Sequence, residues 1–120
     1  MKLKFRRMRP AFFAAGTAAL SLMAAQAHAA ETITIVGDGS SVPFRFEPAT
    51  VTVKRGDEVT WVNKTKVEHS VTPNAGSQKK LKGKDLEAGE TYSAAVKSGP
   101  IKYHCKYHPG MHGTIMVSAH

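Results

Sequence analysis

The sequence predicts an all-β sandwich of seven to eight short strands. After residue 30 apolar and polar residues alternate, which is the period of a half-buried strand, and they do not recur at the spacing of an amphipathic helix. Turn-forming segments such as Gly37-Asp38-Gly39 and Lys54-Arg55-Gly56-Asp57 separate the alternating runs. Many short strands joined by turns are typical of two packed sheets.

The strands follow one another along the chain, and each run stops at a turn residue, a proline or a polar segment. Four runs precede residue 64: Thr32–Val36, Phe44–Phe46, Val51–Val53 and Val59–Asn63. Four more follow it: Ser70–Thr72, Thr91–Val96, Ile101–Cys105 and Ile115–Val117. Because side-chain direction has a period of two residues, each run points alternate side chains to the same face.

The apolar positions of these runs form the predicted core. Burial of such side chains stabilises a fold by about 25 cal/mol per Å² removed from water. We expect Trp61 and the phenylalanines to serve this packing role. The predicted inward set is Ile33, Ile35, Phe44, Phe46, Val51, Val53, Val59, Trp61, Val71, Tyr92, Ala94, Val96, Ile101, Tyr103, Ile115 and Val117.

Residues 74–85 fit neither period. The segment is polar and carries four lysines, Lys79, Lys80, Lys82 and Lys84. We expect a solvated loop, which leaves open a turn of helix or a docking patch for an acidic partner.

Residues 1–29 have the composition of a secretory signal peptide. An uncharged apolar run at 11–25 precedes the small-x-small pattern Ala27-His28-Ala29. The run is shorter than the roughly 20 residues that span a bilayer. We therefore expect cleavage near Ala29 and export to the periplasm rather than a retained anchor, with both the Sec and the twin-arginine routes left open. The basic start consists of Lys2, Lys4, Arg6, Arg7 and Arg9.

Removal of the signal peptide changes the charge. The whole chain has 17 basic and nine acidic residues, and the signal peptide holds five of the basic ones. The remaining net charge of +3 gives little reason to expect a nucleic-acid partner. Residues 30–120 are the right length for a single small domain, and we expect a monomer without a membrane span.

The single cysteine lies in a segment rich in metal ligands. Cys105, His108 and Met111 follow one another at intervals of three residues, and Pro109-Gly110 predicts a turn between them. His69 is the best candidate for a fourth ligand. A buried structural thiol is the alternative for Cys105, but the density of neighbouring ligands favours a metal site.

The ligand types favour copper over zinc. Two imidazoles, one thiolate and a weak thioether are typical of blue-copper electron-transfer sites. Zinc prefers a thiolate, an imidazole or a carboxylate in its fourth position. The sequence therefore predicts one copper ion.

The framework around these ligands is similar to that of a known family. It includes the segments Phe44-x-Phe46-x-Pro48, Val51-x-Val53-x-x-Gly56-Asp57-x-Val59-x-Trp61-x-Asn63, His69-Ser70-Val71, Leu86-x-x-Gly89-x-x-Tyr92 and Tyr103-x-Cys105-x-x-His108-x-x-Met111-x-Gly113-x-Ile115. The chain resembles the cupredoxins, the type I blue copper proteins, over essentially all of residues 30–120. Within that family the chain resembles the amicyanin and plastocyanin-like group. The short gaps from Cys105 to His108 and from His108 to Met111 resemble those of amicyanins, since plastocyanins and pseudoazurins have more residues in this loop.

The resemblance implies a Greek-key β-sandwich with His69, Cys105, His108 and Met111 as copper ligands. It implies a carrier of single electrons between redox proteins, for example a dehydrogenase and a c-type cytochrome. Its exposed electron-transfer edge would be His108, which would leave Cu(I) on protonation at low pH. Pro43, Pro109, Gly110 and Met111 would form an apolar docking rim, and Lys106 would steer an acidic partner.

A second function remains open beside electron transfer. A periplasmic copper carrier or buffer would use the same four ligands, although trafficking sites are often rich in methionine. An enzyme is not expected, because four ligands leave copper no open position for a substrate.

Other residues near the ligands have less specific patterns. His104 should point to the face opposite Cys105, and its position resembles that of histidines that bind a second copper in multicopper enzymes. We expect His112 to face solvent, His120 to lie near a free end and Met116 to pack. Asn63 resembles the asparagine that ties the two ligand segments together in this family.

Overall fold

The computed structural model describes residues 29–119, which form nine β strands and no helix. The first five strands are β1 (Ala30–Val36), β2 (Arg45–Glu47), β3 (Thr50–Lys54), β4 (Glu58–Asn63) and β5 (His69–Pro73). The last four are β6 (Lys84–Leu86), β7 (Thr91–Ala95), β8 (Ile101–His104) and β9 (His112–Ser118). The predicted all-β class is confirmed, with one strand more than expected.

The strands form two mixed sheets. One has the order β2-β1-β4-β7 and the other β3-β9-β8-β5-β6. The pairs β1 with β4 and β3 with β9 are parallel, and all other neighbours are antiparallel. This is the Greek-key β-sandwich that the family resemblance implies.

The core lies between the two sheets. Each residue of the predicted inward set is buried or packs against the buried cluster; Phe44, Tyr92, Ala94 and Val117 are the partly buried ones. Trp61 is completely buried and stacks on Tyr92 with ring centroids 5.6 Å apart. The alternation of the sequence therefore predicts the core correctly.

Strand β6 was not expected. Lys84–Leu86 pairs antiparallel with the start of β5, so that Leu86 lies opposite His69. Three residues with one inward side chain are too few to show a period of two. The rest of the segment 74–85 is anchored as well, because the amide of Leu81 donates to the Ser77 carbonyl at 3.2 Å and the Leu81 side chain is buried. The prediction of a solvated loop is thus only partly right.

Tyr103 closes the base of the hairpin formed by β8 and β9. It lies opposite Gly113 in the strand register, and a Cβ on Gly113 would overlap the Tyr103 ring. The ring also meets Trp61 and Phe46 edge-on, at centroid separations of 5.5 and 4.8 Å. The absence of a side chain at Gly113 therefore leaves room for the Tyr103 ring to pack over β9.

Among residues 29–119 there is no helix of the length and apolarity required to cross a membrane. The predicted signal peptide, apart from Ala29, and His120 lie outside the described residues.

Candidate metal centre

His69 is the first residue of β5 and its side chain is fully buried. The loop that precedes it is held by the buried side chain of Asn63. The Asn63 amide nitrogen donates to the carbonyls of Val67 and Leu86 at 2.9 and 3.0 Å. Its oxygen accepts from the amide and the hydroxyl of Thr65 at 2.9 and 2.8 Å. These bonds fix the approach of the chain to His69.

The other predicted ligands lie on residues 105–111, which we name the ligand loop. The amide of Cys105 donates to the Met111 carbonyl at 3.1 Å, and the amide of Met111 donates to the His108 carbonyl at 3.2 Å. Gly110 has a φ of 95°, a conformation that glycine adopts without steric penalty. The predicted Pro109-Gly110 turn therefore brings the loop back on itself.

Three of the four predicted ligands converge. Donor atoms of His69, Cys105 and His108 all lie within 4.8 Å of one another. The Cys105 Sγ is 3.7 Å from His69 Nδ1 and 3.5 Å from His108 Nδ1. A small divalent ion with bonds of about 2.3 Å to sulfur and about 2.0 Å to nitrogen holds such donors roughly 3.5–3.7 Å apart at tetrahedral to trigonal angles. The three side chains therefore fit one shared ion.

Burial of His69 favours binding of a metal ion by its imidazole over binding of a proton. Loss of solvent around His69, and to a smaller extent the charge of the neighbouring His108, lower the pKa of its imidazole to about 4. The ring is therefore neutral at pH 7 and able to bind a metal. Cys105 is also buried, while His108 keeps partial exposure.

Met111 is the fourth predicted ligand, and its thioether is the donor type that the other three residues lack. Its side chain is buried, and it lines the same shallow surface depression as His108. Two imidazoles, a thiolate and a thioether suit copper better than zinc.

Ser70 joins the two ligand segments, a role that the sequence did not indicate. Its amide donates to Cys105 Sγ at 3.4 Å, and its hydroxyl accepts from the amide of Lys106 at 2.9 Å. None of the Asn63 bonds among the described residues reaches the ligand loop, so Asn63 holds only the His69 side of the site. The position of Ser70 between His69 and Val71 is the only sequence signal that could have indicated its role.

Phe44 covers the two imidazoles. Its ring centroid lies 4.7 Å from that of His69 and 4.8 Å from that of His108. Phe44 was predicted only as a core residue, and the structure adds this contact with the site.

The loop that precedes Phe44 is ordered by Asp38, whose carboxylate accepts from the amides of Ser40 and Val42 at 2.8 and 2.9 Å. These backbone hydrogen bonds lower the pKa of Asp38 to about 2.

The predicted apolar rim surrounds the partly exposed edge of His108. Pro43, Phe44, Pro109 and Met111 line a shallow depression together with Gly39 and His108. Pro109 and Gly110 are themselves exposed, whereas Met111 is buried. The rim of the site is therefore apolar, but Met111 contributes to its floor.

Lys106 is not an isolated positive charge. Its Nζ lies 3.1 Å from Asp85 Oδ1, and the Tyr107 hydroxyl donates to Asp85 Oδ2 at 2.9 Å. Hydrogen bonds from Lys106 and Tyr107 lower the pKa of Asp85. The pKa of the nearby Glu68 is raised, mainly by partial burial and to a smaller extent by repulsion from Glu87 and Asp85. Negative charge is therefore concentrated around Lys106, and its predicted role in steering an acidic partner gains no support here.

Among the described residues, His104, His112 and Met116 are not part of the convergent donor set. His104 lies on the face opposite Cys105 and contacts Asn74 instead. His112 is exposed, as predicted. Met116 is 43% exposed, so the expectation that it packs is wrong, because its strand position faces outward next to the buried Ile115.

The family model described as "Copper binding proteins, plastocyanin/azurin family" matches residues 31–118. The chain belongs to that family. It is 34% identical over 118 residues to amicyanin-alpha of Methylorubrum extorquens, covering 92% of this chain and 99% of that protein. It is 36% identical over 96 residues to plastocyanin of Scenedesmus fuscus, covering 71% of this chain and 98% of that protein.

Solved structures agree with this assignment to the cupredoxins. A variant of amicyanin in its reduced Cu(I) form at pH 4 superposes with a TM-score of 0.63 and 32% identity, covering 79% of this chain and 88% of that one. Copper is therefore the cofactor, and the convergent donors described above fit it.

Proposed function

We propose that this protein is an exported type I copper protein that carries single electrons between redox partners in the periplasm. Residues 1–29 are the export signal in this proposal, and residues 30–120 are the mature cupredoxin domain. His69, Cys105 and His108 are the strong copper ligands, and Met111 is the weak axial one. The observation that carries the proposal is the convergence of three donor atoms within 4.8 Å.

The chain's contribution is to hold the ligands still. Bound copper supplies a one-electron redox couple whose potential depends on the axial ligand and on hydrogen bonds to the cysteine sulfur. The buried Asn63 network restrains the His69 side, and the Ser70 bonds restrain Cys105 against it. Because the ligands are restrained in this way, they should move little when an electron arrives or leaves. Such a site is suited to carrying electrons rather than to making and breaking bonds.

His108 is the most suitable route for the electron. It is the one proposed ligand that is partly exposed; His69, Cys105 and Met111 are all buried. The depression around it is lined by apolar residues such as Pro43 and Phe44, and such a surface suits a transient protein contact. We therefore place the redox partners on this face, with a dehydrogenase or a c-type cytochrome as examples of the partner class.

The proposed docking face can be tested by electron self-exchange between two copies of the protein. Pro43→Glu places a negative charge on the rim in both copies, so the rate should fall several-fold at low salt and recover at high salt. Thr52→Glu is the matched control, because Thr52 is exposed on β3 rather than at the rim. NMR line widths in mixtures of oxidised and reduced protein measure the rate. Equal rates in both variants would contradict the docking face.

A periplasmic copper carrier or buffer is the competing function. Cyclic voltammetry of the copper-loaded protein, followed by challenge of the reduced form with a Cu(I) chelator, separates the two. An electron carrier should give a reversible one-electron wave and keep its copper through repeated cycles. Rapid loss of Cu(I) to the chelator would instead support copper transfer. We expect no enzymatic turnover, because the four proposed ligands leave copper no open position.

A further inference from the structure

Two histidines meet on the outer surface of the five-stranded sheet. His104 on β8 and His112 on β9 are directly opposite partners in the antiparallel register. Their side chains share one face, since opposite residues of an antiparallel pair point to the same side. The ring centroids are 6.4 Å apart. Their separation along the chain is eight residues, so only the strand register brings them together.

Asn74 fixes the chemical form of His104. The Nδ1 of His104 lies 2.5 Å from Asn74 Oδ1. An amide oxygen only accepts hydrogen bonds, so Nδ1 carries the hydrogen and Nε2 carries the free lone pair when the ring is neutral. Histidines that ligate metals almost always donate their other ring N–H to such an acceptor. His104 is therefore already arranged as an Nε2 metal ligand.

The two rings lie near the separation that a shared ion requires, but not at it. Two imidazoles with bonds of about 2.0–2.1 Å to one metal place their ring centres roughly 4.5–6.3 Å apart, depending on the angle at the metal. The observed 6.4 Å lies just beyond the upper end of that range, and a tetrahedral angle at the metal would need about 5.2 Å, so the rings must move about 1 Å closer to share a tetrahedral ion. His112 is exposed, so a small side-chain rotation brings it within reach while His104 stays fixed by Asn74.

We propose that His104 and His112 form a second, surface site for a borderline divalent cation such as Zn²⁺ or Cu²⁺, with Asn74 as the positioning residue. Imidazole is the ligand type that these cations share, and water would complete the coordination. The site is separate from the first one because His104 points away from the face of Cys105. It also spans the base of the ligand loop, so a bound cation would link the two strands from which that loop arises.

Zinc binding to the reduced, copper-loaded full chain tests the proposal. Reduced copper is diamagnetic and occupies the first site, so isothermal calorimetry with Zn²⁺ alone should report one added equivalent. The NMR signals of the His104 and His112 rings should shift together, and those of His69 and His108 should not. This readout does not depend on electron transfer. The His69 and His108 signals would separately reveal a failure of copper loading.

Single substitutions separate a built site from scattered surface binding. His104→Gln and His112→Gln should each weaken zinc binding at least about tenfold, because each removes one of the two imidazoles. Asn74→Ala should weaken it by about 10–100-fold, and Asn74→Asp should restore it because a carboxylate also accepts from Nδ1. His120→Gln is the matched control and should leave binding unchanged.

Three results would overturn the proposal. The first is an absence of zinc binding to the copper-loaded protein at neutral pH. The second is unchanged affinity in His112→Gln. The third is a loss in His120→Gln equal to that in His104→Gln. Failure of Asn74→Asp to recover what Asn74→Ala loses would remove Asn74 from the site.

Discussion

Ser70→Ala tests whether the hydroxyl of one buried serine joins the two halves of the copper site. The substitution keeps the backbone amide that donates to Cys105 Sγ. It removes the acceptor of the Lys106 amide, at 2.9 Å, and the partner of the Thr72 hydroxyl, at 2.8 Å. The ligand loop then loses its side-chain attachment to β5 just after Cys105.

The expected loss of stability follows from these two bonds. A buried donor left without a partner destabilises a protein by about 1–3 kcal/mol. The Lys106 amide bond is only part-buried, and the partly exposed Thr72 hydroxyl regains a bond to water. We therefore expect a loss of about 1–2 kcal/mol, which corresponds to a fall of roughly 5–15 °C in the melting temperature of a domain of this size.

The assay is thermal and urea unfolding of the copper-loaded protein, followed by its visible spectrum. Ser93→Ala is the matched control, because Ser93 makes a similar hydroxyl–hydroxyl contact of 2.7 Å with Thr60 on the exposed side of the other sheet. The control should lose less than about 0.5 kcal/mol. Equal stability of the two variants would refute the role assigned to Ser70.

Three further predictions concern the core, the axial ligand and pH. Gly113→Ala places a methyl group against the Tyr103 ring and should destabilise the protein by about 1–3 kcal/mol or more, as urea unfolding would show; an unchanged midpoint would contradict the packing. Met111→Leu removes an axial donor whose electron density stabilises the more highly charged Cu(II), so the reduction potential should rise by at least about 59 mV, a tenfold shift in the one-electron equilibrium; an unchanged voltammogram would exclude Met111 as a ligand. Without metal, the folded His69 has a pKa lowered to about 4 and the unfolded one about 6.5, so the unfolded chain binds the extra proton between these values. The free energy of unfolding of the metal-free protein should therefore fall as the pH falls from 6.5 to 4, by at most about 1.4 kcal/mol per pH unit from His69. An equal dependence of the free energy of unfolding on pH in His69→Gln would contradict the assignment of this effect to His69.

The sequence was sufficient to predict most of the core and the three convergent donors for clear physical reasons. Alternation along a strand marks which side chains face inward, as for Ile33 and Ile35 on β1. The spacing of Cys105 and His108, with a Pro-Gly turn after them, keeps both donors on one short loop. His69 was the harder prediction, because its place opposite that loop depends on sheet pairing.

The sequence did not reveal features that depend on register and on contacts between distant segments. Strand β6 is too short to show a period, yet it pairs with the strand that begins at His69. The role of Ser70 depends on the position of Cys105, 35 residues further along the chain. The opposition of His104 and His112 is likewise set by the pairing of β8 with β9. A pattern within one strand contains no information about its neighbour.

The most direct test of the central claim is the visible and EPR spectrum of the copper-loaded protein, compared with Cys105→Ser. We expect an intense blue thiolate-to-copper band and a type I EPR signal with one copper per chain. Both should vanish in Cys105→Ser, where the thiolate is absent, while the fold remains. A spectrum that is colourless after oxidation, or unchanged by the substitution, would show that Cys105 is not a copper ligand.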